Sequence, residues 1–270
     1  MALDAALLAL PVKMLLVAAV VVAGSLAAQK AGPFVGGLIA TLPISAGPAY
    51  VVLALDHGAA FIAESAVGSV SINGVTVLFV MTYAVLARRG VGAPGCLAGA
   101  IGAWLLAAVA IRALTPPLWA GLVLNAVALA IGVPLALRFS RVAMPPANAS
   151  RPVDLVLRAL AVATLVGVLS VVSWHIGPLA SGILALFPVV IPSVVVVTHR
   201  AVGGLAAAAV AASSIYGLAG FAAGMAAVHL AAVPLGAAAA LLIGLAISVA
   251  WNGLLFMLRL RRMRRVAAAT

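Results

Sequence analysis

Polar side chains are scarce in this chain, so each one inside an apolar run needs a reason. Ser71 and Asn73 stand within one such run, and Ser214 and Tyr216 within another. Hydroxyl and carboxamide groups flanked by Ala, Val, Leu and Gly must find partners away from water, so these four are expected to face inward. There they either bond helix to helix or coordinate a polar solute. Pro43 and Pro48 interrupt one further run, and Pro188 and Pro192 interrupt another. Proline inside a helix removes a backbone N–H and kinks the chain, leaving carbonyls for a neighbouring helix, water or a solute. Together these residues are the candidate substrate-binding set. Glu64 is the carboxylate well inside an apolar segment, where an acid is costly unless paired or hydrated. Glu64 and His199 are the candidates for an ion or proton relay, although Glu64 is also close enough to a helix end to reach interfacial water. Thr198-His199-Arg200 would present a cationic pair to an anionic substrate or lipid headgroup.

Other chemistries lack their residues. Asp56-His57, His175 and His229 fall at run ends without metal-ligand spacing, and Cys96 is the only cysteine. Nucleotide loops, nucleophile elbows and HExxH motifs are absent from the sequence. No metal, cofactor or enzymatic activity is expected.

The elements that must position these residues follow from composition. Of 270 residues, 67% are hydrophobic and 7% charged, and the mean hydropathy is +1.35. A soluble domain needs roughly a quarter of its residues charged. Apolar runs of membrane-spanning length recur throughout, rich in Ala, Leu and Gly and without the alternation of a strand. Breaks at Gly, Pro and charged residues divide the chain into nine segments, at 7–28, 33–55, 60–87, 92–113, 117–138, 154–174, 178–198, 203–228 and 231–258. The first run follows no basic region and reads as a retained helix, not a signal peptide.

The net charge of +11 does not indicate nucleic acid, because the basic residues cluster at run ends. With nine alternating spans, Lys30, Arg88, Arg89, Arg138, Arg141, Arg151, Arg158, Arg200 and the tail Arg259, Arg261, Arg262, Arg264 and Arg265 share one side. Only Lys13 and Arg112 fall on the other. Positive charge resists translocation, so the crowded side is expected to be cytoplasmic. The expectation is a bacterial inner-membrane protein with its N-terminus periplasmic and its C-terminus cytoplasmic, in contact with membrane lipids.

The chain also resembles itself. The stretch 31–43, which holds Gly36-Gly37-Leu38-Ile39-Ala40-Thr41-Leu42-Pro43, aligns with 176–188, which holds Gly182-Ile183-Leu184-Ala185-Leu186-Phe187-Pro188, at an offset of 145 (188 − 43). Lys13 and Arg158 share that offset, and Ser71-Ile72-Asn73-Gly74 meets Ser214-Ile215-Tyr216-Gly217 at 143 (217 − 74). Segments one to four thus match six to nine, and the fifth links them. A single linking span turns the second unit upside down relative to the first. The expected fold is an all-α polytopic membrane protein of two inverted four-helix repeats. Its parts are a first repeat at 1–114, a linking helix and cytoplasmic linker at 115–150, an inverted second repeat at 151–258 and a basic tail at 259–270.

The first unit resembles the GlpM-like family of small four-helix bacterial inner-membrane proteins. The likeness lies in Lys13, in Gly36-Gly37-Leu38-Ile39-Ala40-Thr41-Leu42-Pro43, and in Gly99-Ala100-Ile101-Gly102-Ala103-Trp104. The second unit repeats the pattern, with Arg158 for the Lys and Trp251 in a different setting, so the chain is similar to a duplicated and fused form. That resemblance implies a fold and carries no settled activity. Inverted repeats themselves point to secondary transport of a small solute or lipid-like molecule by alternating access. The alternative is a non-transporting scaffold or accessory subunit of an envelope complex, which the scarcity of buried ionisable groups favours. A homodimer stays open.

Overall fold

The structure, a computed structural model, describes residues 2–30, 46–139 and 152–267. Among these described residues all regular structure is helical. A chain this apolar requires it, since backbone N–H and C=O groups in lipid must be satisfied within their own segment. The helices are α1 (Ala2–Lys30), α2 (Ala46–Asp56), α3 (Ala59–Arg88), α4 (Ala93–Leu114), α5 (Leu118–Phe139), α6 (Pro152–Ala185), α7 (Val190–Val202), α8 (Gly204–Ser213), α9 (Ile215–Leu235) and α10 (Ala237–Ala267). Six stretches are long and apolar enough to cross a membrane: Ala59–Arg88, Ala93–Leu114, Leu118–Phe139, Val153–Val202, Gly204–Leu235 and Ala237–Leu258. Leu10–Ala23 and Ala46–Asp56 are shorter apolar helices. By length and composition this is an all-helical, multi-pass membrane protein.

Segment 178–198, expected as one kinked helix, is instead interrupted between Ala185 and Val190. Pro188 has no N–H to donate and biases Phe187 away from helical geometry, so the helix stops and restarts. Pro192 is then the third residue of α7, as Pro48 is the third of α2. A proline in the first turn forfeits no intrahelical bond. Pro192 therefore opens its helix and does not bend it, whereas the residues before Ala46 lie outside the described ones. Segment 154–174 and the start of 178–198 share α6, which is broken at Gly177, where φ is 79° and ψ 172°. Glycine enters that region at no steric cost. The chain doubles back there, because Arg158 Nε donates to Ser193 Oγ at 3.1 Å. A straight helix would hold those residues roughly 50 Å apart.

Buried area identifies the centre of the bundle. The most apolar window of α3 is 72% buried, against 22% for α4, 22% for α5 and 17% for α10. Around α3 pack α4, α5, α6, α8 and α9. Its approach to the residues after Gly177 is backbone to backbone: Gly68 lies against the Leu179 carbonyl, and Gly182 against that of Ser65. A side chain at either glycine would strike main chain, so the contact exists only because both are glycine.

The stretch α8–α9 crosses α3 in the opposite direction. Ala87 O lies beside Gly204, Asn73 Nδ2 donates to Leu218 O at 3.0 Å, and His229 Nδ1 donates to Ala63 O at 2.8 Å. As the number rises along one helix it falls along the other. At Ser214 the stretch tightens to bonds three residues long, from Ser214 N to Ala211 O at 3.1 Å and from Gly217 N to Ser214 O at 3.2 Å. The chain kinks there without leaving the helix.

Candidate functional site

The polar residues of α3 form a stripe. Ser65, Ser69 and Asn73 recur every fourth residue, which sets them on one helical face, and all three are buried. That face meets the second half of the chain. Ser69 Oγ donates to Gly182 O at 2.7 Å and lies 2.8 Å from the Tyr50 hydroxyl of α2. Asn73 Nδ2 donates to Leu218 O and, at 2.7 Å, to Asn125 Oδ1 of α5. Asn125 Nδ2 in turn donates to Val70 O at 2.6 Å and Gly121 O at 2.8 Å. Two carboxamides therefore tie α3, α5 and α9 together at the crossing. The stripe also holds two buried atoms without a hydrogen-bond partner, Ser65 Oγ and Asn73 Oδ1. Such atoms are expensive in lipid, and each is a place where the N–H or O–H of a solute or water would be gained at full value.

Polar groups also gather at both ends of α3. Before its first turn, Asp56 at the end of α2 pairs with Lys13 of α1 and accepts a bond from Ser170 Oγ of α6 at 2.7 Å. Next to it, His57 Nε2 lies 2.8 Å from Ser173 Oγ. The ring stacks on Phe61 at 3.8 Å and leans on Trp174 at 4.3 Å. Burial there lowers the His57 pKa below its ordinary value, against the opposing pull of the Asp56 carboxylate. Near the other end of α3, the Tyr83 hydroxyl lies 3.0 Å from His199 Nδ1 of α7, and Arg158 reaches Ser193 on the same helix.

A groove of about 380 Å³ lies between α4 and residues 180–187, lined by Trp104, Leu105, Ala108, Ile183 and Phe187 with Arg112 as its charged residue. Trp104 stands edge-on to Phe187 at 5.4 Å, and its Nε1 is buried without a partner.

The residues expected to bind are brought together only in part. Asn73 lies at the crossing, but Ser71 is on another face and bonds Val67 O of its own helix at 2.9 Å. Ser214 likewise donates to Ala211 O at 2.7 Å. Tyr216 is half-buried, and its carbonyl accepts Trp251 Nε1 at 2.8 Å. Pro188 is buried at the break after α6, while Pro192, in the first turn of α7, and Pro48 are half-buried. Pro43 lies outside the described residues. Of the two relay candidates, His199 is half-buried on Tyr83 and Glu64 is exposed. The structure adds residues the sequence reading passed over: Ser65, Ser69, Asn125, and the Lys13–Asp56–Ser170 grouping. The four-residue spacing of Ser65, Ser69 and Asn73 was a readable signal for the first two. The Lys13–Asp56 pair left none, because its members stand 43 residues apart.

The class is thus an all-helical multi-pass membrane protein with a buried polar crossing at its centre. No protein-family model, curated protein or solved structure matches the chain.

Proposed function

We propose that this protein is a secondary transporter or exporter of a small solute or lipid-like molecule. It works by alternating access between two inverted four-helix units joined by α5. Nine passes follow when Leu10–Ala23 and Ala46–Asp56 are counted as spans and Val153–Val202 is counted twice across its turn at Gly177. Element starts support the duplication: α3 and α8 begin at 59 and 204, α4 and α10 at 93 and 237. The offsets, 145 (204 − 59) and 144 (237 − 93), lie close to the 145 and 143 read from the sequence. The apolar stretches Ala93–Leu114 and Ala237–Leu258 are each 22 residues long.

One observation carries the reading. Asn73 and Leu218, which touch where α3 crosses α9, are themselves 145 residues apart. Matching stretches that cross antiparallel, as α3 and α8–α9 do, support an inverted second copy, and Asn73 meets the chain two residues from Tyr216, its partner in the sequence alignment. Transporter sites of inverted-repeat proteins lie at that interface, near the midplane. The stripe Ser65–Ser69–Asn73 lies there, and the break before α7 leaves a short helix beside it. The family resemblance of the four-helix unit belongs to the same reading, as do an inner-membrane location, a periplasmic N-terminus and contact with lipids.

Uptake and efflux across a broad solute panel test the proposal, in cells carrying the wild type, Asn73→Ala, or the Pro43→Leu/Pro188→Leu pair. At least one solute should move with the wild type, with flux reduced tenfold or more by either change. Unchanged fluxes across the panel, together with stable co-purification of one envelope partner, would establish the scaffold reading instead.

A further inference from the structure

Asp56 holds together helices from both halves of the chain. Its Oδ1 pairs with Lys13 Nζ of α1, and its Oδ2 accepts from Ser170 Oγ of α6. The pair is nearly closed to solvent, with side-chain exposures of 9% for Lys13 and 4% for Asp56. No other acid shares its surroundings among the described residues. The facing groups are Lys13 from α1, the neighbouring His57, and the neutral Ser170, Ser173 and Trp174 from α6. Glu64 of α3 and His175 of α6 are exposed, and α10 begins with the four alanines 237–240. The second half has no counterpart, since Ala201 stands 145 residues after Asp56.

We propose that Asp56 is the proton-coupling site of this protein, its carboxylate exchanging the Lys13 ammonium for a proton as α1 separates from α2. The inference rests on the transporter reading and names its driving ion. A buried ion pair holds only while both members are charged, and removing one charge leaves the other stranded. A proton arriving at Asp56 forms the neutral acid, which keeps its bond to Ser170. Lys13 keeps its own proton and must turn toward water at that end, which frees α1 from α2. On the return, Lys13 re-enters and Asp56 releases the proton. One proton is bound and one released per cycle, with no other reactant. The absence of an acid at the matching position confines the exchange to one end of the bundle, which gives the cycle a direction.

The experiment is a distance measurement on the full chain in lipid nanodiscs. Spin labels are placed at Leu16→Cys on α1 and Leu55→Cys on α2, both exposed positions, in a Cys96→Ala background. As the pH falls from 8 to about 3, past the ordinary aspartate value, the wild type should shift from a short to a longer separation. Asp56→Asn should sit at the longer separation throughout, and His57→Gln should respond as the wild type does. Ser170→Ala, a milder change that keeps the ion pair, should move the midpoint to higher pH by withdrawing a bond from the charged form. A wild-type distance indifferent to pH overturns the proposal. So does a response that survives in Asp56→Asn, a midpoint unmoved in Ser170→Ala, or a shift driven by sodium at constant pH. No solute is needed, so the two readings fail separately. Flux without a pH-driven distance change refutes the coupling alone, and a pH-driven change without flux refutes transport alone.

Discussion

Asn73 shows how much one side chain settles at the scale of the residue. Both of its amide hydrogens are spent on structure, one on Asn125 and one on the Leu218 carbonyl. Its Oδ1 is left over. The same residue therefore fastens the bundle and offers a free acceptor at its centre. Asn125 has the structural role only. Asn125→Ala should remove its share of three bonds and lower stability by about 1–2 kcal/mol, the upper range for polar contacts between membrane helices. Thermal melting in detergent reads this as a lowered midpoint. Ser71→Ala, which loses a bond only to its own helix, should melt close to the wild type.

At the scale of the element, small residues decide which helices touch. A Cβ on Gly182 would lie 1.8 Å from Ser65 O, whereas one on Gly102 of α4 would meet nothing within 4 Å. Gly182→Ala should therefore push α3 from the hairpin and cost about 1–3 kcal/mol, the usual range for overpacking. Gly102→Ala should be neutral or stabilising by up to about 1 kcal/mol, since alanine is the better helix former. Parallel melts of the two variants separate steric contact from helix propensity. The contact between α9 and α10 follows the same rule, with Gly220 against Trp251 and Gly224 against Gly244.

For the whole molecule, the question is which way each helix runs through the membrane. Matched reporters fused after Met1 and after Thr270 should report opposite sides, with the C-terminus cytoplasmic. Insertions in the turns at Gly58 and Gly90, which flank α3, should also report opposite sides. Both termini on one side would mean an even number of passes and would remove the inverted repeat, whatever the fate of the site.

Much of this protein was legible in its sequence because short windows determine it. Hydropathy alone forces helix in lipid, and the Ser65–Ser69–Asn73 spacing sets one face of α3. Less legible was what the prolines do. Pro192 read as a kink, but where a helix begins decides whether a proline costs a bond, and the break between Ala185 and Val190 makes it an opener. Pairings at long separation were not legible at all. Lys13 and Asp56 looked like two interfacial charges until the fold brought α1, α2 and α6 together. Local sequence sets what each helix can present, and only the crossing of helices decides which polar atoms meet and which stay unpartnered.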